Sequence, residues 1–79
     1  MMTLYMRPTC PFCQKVLKRA EELGVTFELK DINNPVNAAE LVAQGGKQQV
    51  PYLVDAERGA ALYESADIIG YIEHHDAKR

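Results

Sequence analysis

Tryptophan is absent from this 79-residue chain, and aromatic residues make up only 8% of it. Its core must come from aliphatic side chains rather than large rings. Cysteine is scarce: there are two, Cys10 and Cys13. A disulfide across so short a gap closes almost no loop and restrains the unfolded chain little. This excludes a small fold held by disulfide staples. A basic surplus is missing too, since 9 basic and 11 acidic residues leave a net charge of −2. No nucleic-acid partner is expected. No apolar run approaches the ~18–20 residues that span a bilayer, so no membrane partner is expected. Residues 1–6 carry no basic stretch of the kind that opens a secretory signal, which makes the cytoplasm the expected compartment. Repeats, low-complexity tracts and linkers are lacking, and one domain over residues 1–79 is expected.

What is present is patterned. Residues 2–6 are apolar and β-prone, a short buried strand, which Arg7, Pro8 and Thr9 interrupt. From Pro11 to Leu23 the period is helical, with Val16, Ala20 and Leu23 on one face and Gly24 as the stop. Residues 25–30 alternate, placing Val25, Phe27 and Leu29 on a buried side. Asn34 and Pro35 read as a cap and first helical position. The helix they open runs to about Gln44, with Ala39, Leu41 and Val42 as its apolar residues, and Gly45-Gly46 ends it. Residues 50–54 and 61–63 read as strands joined by a turn. Ser65 is placed to cap a last helix carrying Ile68, Ile69 and Ile72 inward. His74 and His75 close that helix, where an imidazolium is mildly stabilising, and residues 76–79 read as a frayed tail. The order β-α-β-α-β-β-α predicts an α/β fold with a four-stranded mixed sheet.

The strongest chemical signal is Cys10-Pro11-Phe12-Cys13, where a strand gives way to a helix. Free N–H groups and the helix dipole there favour negative charge, and the thiolate is the reactive form of cysteine. Cys13 lies one turn further in and should be more buried and less ionised. One cysteine attacks, and the other resolves the mixed disulfide. A zinc site would need more ligands than this pair and the distant His74 and His75 supply, so no metal is expected. Val50-Pro51 and Glu64-Ser65 are weaker signals. The first is an edge proline or a cis bond opposite Cys10, the second a plain cap or an anion site.

The Cys-Pro-Phe-Cys motif after a first strand, with Val50-Pro51 before the third, resembles the glutaredoxins. The resemblance covers essentially the whole chain. It implies a thioredoxin-like fold with sheet order 2-1-3-4 and three helices, a cis Pro51 and a glutathione groove. It implies Cys10 as nucleophile and Cys13 as resolving cysteine. Phe12 would pack beside glutathione, Val50 would pair with its cysteine through the backbone, and Lys47 or Gln49 would meet its glycine carboxylate. The segment from Leu62 to Ile72 is similar instead to the N-terminal domain of glutathione transferases. There Glu64 and Ser65 would hold the γ-glutamyl end. A transferase's all-helical second domain does not follow in this sequence. The implied activity is glutathione-dependent reduction of protein disulfides and glutathionylated proteins by a monomer, with glutathione as co-substrate. The alternative is a dimeric iron–sulfur cluster protein that uses Cys10 and glutathione.

Overall fold

The computed structural model describes residues 2–75, without the side chain of His75. Met1 and the tail at 76–79 lie outside the described residues, as does the part expected of His75. Seven elements follow one another: β1 (Met2–Met6), α1 (Pro11–Leu23), β2 (Phe27–Asp31), α2 (Pro35–Gly45), β3 (Tyr52–Asp55), β4 (Ala60–Leu62) and α3 (Ser65–His75). They form a four-stranded sheet of order β2-β1-β3-β4. β1 runs parallel to β2 and antiparallel to β3, and β3 and β4 form an antiparallel hairpin. This is the thioredoxin-like layout.

The two faces of the sheet are covered differently. On one, α1 and α3 press Cys13, Val16, Ala20, Leu23, Ile68 and Ile72 onto Met2, Leu4, Met6 and Leu53, a dry aliphatic core. Fully burying each such side chain contributes about 1.5–3 kcal/mol. On the other, a smaller cluster holds Tyr5, Ile32, Leu41 and Tyr52. Beside that cluster, the Gln44 amide donates to the Tyr5 hydroxyl at 2.9 Å, and the Lys30 ammonium donates to Glu40 at 2.7 Å. β1 lies inside the sheet, which explains why four of its five residues are buried and only Thr3 interrupts the apolar run.

The helix ends follow their sequences. Gly24 takes φ 74°, and the Val25 N–H reaches back to the Ala20 carbonyl at 2.8 Å. Only glycine adopts that left-handed turn without strain. The Asn34 side chain accepts the Val36 N–H at 2.9 Å, and Gly46 closes α2 at φ 83°.

Several local expectations shift. β2 starts at Phe27 rather than Val25, and Leu29 is 51% exposed. Leu29 pairs with the buried Leu4, but β2 is an edge strand and its outer flank is uncovered. Within α2 only Leu41 is buried, with Ala38 half-buried beside it, while Ala39 and Val42 face solvent. β3 begins at Tyr52, so Val50 and Pro51 precede the ladder. β4 ends at Leu62 and frees Tyr63 from the sheet. Ser65 does not cap α3. The Ile68 N–H donates to the Glu64 carbonyl at 2.8 Å, so Glu64 takes the capping position and Ser65 begins the helix.

Candidate active site

β1 delivers the chain to residues 7–9, which turn it into α1. The Cys10 N–H closes that turn on the Arg7 carbonyl at 3.0 Å. The Gln14 amide ties to the Pro8 carbonyl at 2.9 Å. Cys10 is left extended at the N-cap (φ −79°, ψ 122°), and Pro11 takes the first helical position, where no N–H is needed. Its own carbonyl accepts the Gln14 N–H at 3.0 Å.

The two thiols, both free, are shifted in opposite directions. At Cys10 burial opposes ionisation and is the largest single influence, but four others together outweigh it. The Cys13 backbone N–H, the Cys13 thiol, the Phe12 N–H and the charge of Arg7 hold the thiol below its ordinary range. At Cys13, which is 0% exposed, burial dominates. It pushes that thiol up to about 11, and the hydrogen bond and charge of Cys10 add to the effect. Of the two, Cys10 ionises the more readily, and Cys13 keeps its proton near neutral pH.

Beside α1 opens a groove of about 270 Å³, lined by Phe12, Gln49, Val50, Pro51, Tyr63, Glu64 and Ser65. The N-terminal end of α1 thus meets that of α3 across the segment before β3. The Val50-Pro51 bond is cis and Pro51 is buried. Phe12 is 55% exposed, with the Lys15 ammonium 5.6 Å from its ring centre. The Gln49 amide lies within 3.5 Å of a Glu64 carboxylate oxygen across the groove.

Of the residues singled out in the sequence, Phe12, Gln49, Val50, Pro51, Glu64 and Ser65 line this one groove. Cys10 and Cys13 are not among its lining residues, and neither is Lys47. Its ammonium sits 4.9 Å from the centre of the Tyr63 ring. Tyr63 is the lining residue that sequence reasoning passed over. Its signal was its place directly before Glu64-Ser65. Among the described residues, no cluster of three or more His, Cys, Asp or Glu is arranged to hold a metal. No described helix is long and apolar enough to cross a membrane.

A sequence profile of the family described as "Glutathione S-transferase, N-terminal domain" matches residues 4–79. Among solved structures, glutathione S-transferase 1-6 from Anopheles dirus species B shares 30% identity at a TM-score of 0.80, over 98% of this chain and 37% of that one. A delta-class glutathione transferase of Nilaparvata lugens shares 28% identity at a TM-score of 0.82, over 100% of this chain and 38% of that one. The chain therefore spans well under half the length of either transferase. A thioredoxin-like protein, solved as a point mutant, shares the fold at 17% identity and a TM-score of 0.77, over 94% of this chain and 100% of that one. No curated protein matches the chain in sequence.

Proposed function

The chain belongs to the glutathione S-transferase N-terminal domain family, and from that premise we propose that it is a glutathione-dependent thiol–disulfide oxidoreductase of glutaredoxin type. One observation carries the reading: the Cys10 thiol, held below its ordinary range at the start of α1, stands beside a groove that Phe12 helps to line. A transferase fold that only activates bound glutathione has no need of a second thiol one turn inside the first.

In this reading the Cys10 thiolate attacks the glutathione sulfur of a glutathionylated protein. The disulfide breaks, and the protein thiolate leaves and takes a proton from solvent. A new disulfide joins Cys10 to glutathione. The thiolate of a second glutathione attacks the bound glutathione sulfur, releasing oxidised glutathione and restoring the Cys10 thiolate. With a protein disulfide, Cys10 attacks one sulfur and Cys13 resolves the product. As Cys13 attacks the Cys10 sulfur it gives up its proton, the departing protein thiolate takes one, and two glutathiones then reduce the Cys10–Cys13 bridge. Val50 pairs with the glutathione cysteine through its backbone, Glu64 and Ser65 receive the γ-glutamyl end, and Gln49, which lines the groove where Lys47 does not, faces the glycine carboxylate. Reduced glutathione as co-substrate suits the cytoplasm. A metal is not required, because the sulfurs carry the electrons.

The test is glutathione-dependent reduction of a glutathionylated peptide by wild type, Cys10→Ser and Cys13→Ser. Activity lost in the first variant and kept in the second supports the assignment. An inactive, folded wild type with free thiols sinks it. The transferase relatives favour a second reading, in which this chain is the glutathione-binding part of a conjugating enzyme. Glutathione-dependent substitution of a chlorinated aromatic, kept in Cys10→Ser, would select that reading.

A further inference from the structure

We propose that Tyr63 is a positioning residue for the segment 47–50, whose Gln49 and Val50 form one wall of the groove, fastened through Gly45 and the Lys47 backbone; the inference rests on the glutathione reading above. No hydrogen-bonded strand holds this wall, since it lies between the end of α2 and the start of β3. Tyr63 supplies what the sheet does not. Its hydroxyl donates to the Lys47 carbonyl at 2.9 Å and accepts the Lys47 N–H at 3.2 Å. Its ring packs on Tyr52 with centres 4.3 Å apart, so the phenol is anchored to the sheet. Its other side lines the groove.

Gly45 completes the device. A methyl there would collide with the Tyr63 hydroxyl and come within 2.7 Å of its Cζ. Gly45 is the last residue of α2 and has no positive φ, so the backbone itself accepts alanine. The glycine is required by the phenol, not by the turn. The Lys47 ammonium, 4.9 Å from the ring centre, is drawn to the same phenol. Tyr63 thus sets the place of the backbone that leads into Gln49 and Val50 of the groove.

The test uses S-methylglutathione, which binds without exchanging disulfides. Three readouts are taken on wild type, Tyr63→Phe and Gly45→Ala. These are Kd, hydrogen exchange at the Lys47 amide, and the pH dependence of Cys10 alkylation. Both variants should weaken binding by roughly three- to tenfold, the loss expected of one or two hydrogen bonds. Lys47 amide protection should fall, and the Cys10 alkylation profile should stay at its wild-type position. Gly45→Ala combined with Tyr63→Phe should lose less than the sum of the two. Wild-type affinity in both single variants, with Lys47 still protected, overturns the inference and leaves the glutathione reading standing. A folded wild type that binds no S-methylglutathione overturns both. A shifted alkylation profile in Tyr63→Phe also overturns it, because the residue would then act through the thiol.

Discussion

The two faces of the sheet hold the site by different means. The α1–α3 face is aliphatic, and the helix bearing Cys10 and Cys13 is pinned there by Val16, Ala20 and Leu23, all nearly or fully buried. The α2 face buries four residues, two of them tyrosines, and relies on hydroxyl, amide and ion-pair contacts. Cys13 is buried in the first face and Cys10 packs against it, while Val50 packs against both clusters and Tyr63 against the second. Close packing fixes a nucleophile within a fraction of an ångström. Hydrogen bonds from the Tyr63 hydroxyl hold the Lys47 backbone in the exposed segment before β3. The groove draws on both faces, with Phe12 and Ser65 from the helices of the first and Tyr63 from the second.

The largest expected effect is chemical. Cys10→Ser should lower glutathione-dependent reduction by at least about a thousandfold, because no other group supplies the thiolate. Initial rates on a glutathionylated peptide check this. Next come core truncations that set the faces against each other. Ile68→Ala, on the dry face, should cost about 3–5 kcal/mol, and Leu41→Ala, in the smaller cluster, about 2–3 kcal/mol. Urea denaturation gives both, and equal costs would erase the contrast between the faces.

Tyr71→Phe probes the polar contact beside the dry core. The Tyr71 hydroxyl donates to the buried Asp55 carboxylate at 2.7 Å, and Arg58 donates to the same oxygen at 3.1 Å. The Tyr71 bond, then Arg58, hold the Asp55 carboxyl below its usual range despite burial. Its stabilisation is therefore present above the unfolded value near ~3.9 and is lost as pH falls through the lower folded value. The variant should lose about 1–2 kcal/mol at neutral pH. The gap to wild type should narrow in acid, which denaturation at several pH values reads directly. Smallest is Cys13→Ala. The Cys13 thiol helps to hold Cys10 below its ordinary range, so the midpoint of Cys10 alkylation should move upward. An unchanged midpoint would leave that role to the backbone N–H groups and Arg7.

Much of this was legible in the sequence. The α1 face announced itself because Val16, Ala20 and Leu23 repeat at helical spacing, and Cys10, Pro11 and Gly24 mark the ends. The sheet order did not follow from periodicity and came with the Cys-Pro-Phe-Cys and Val-Pro resemblance. Leu29 misled because alternation reports which face a side chain takes, not whether a neighbour covers that face at a sheet edge. Ser65 misled because residue type favours a serine cap, while the first helical hydrogen bond falls on Glu64. Tyr63 had a signal in its place directly before Glu64-Ser65, but its contacts with Gly45 and Lys47, both more than a dozen residues away, come only with the fold.

The most direct test of the central claim is the rate at which Cys10 accepts glutathione from oxidised glutathione, followed against concentration and pH in Cys13→Ser. The account predicts a rate that saturates with concentration, is competed by S-methylglutathione, and has a midpoint below the ordinary thiol range. A rate that rises linearly without competition, at an ordinary thiol midpoint, would contradict it.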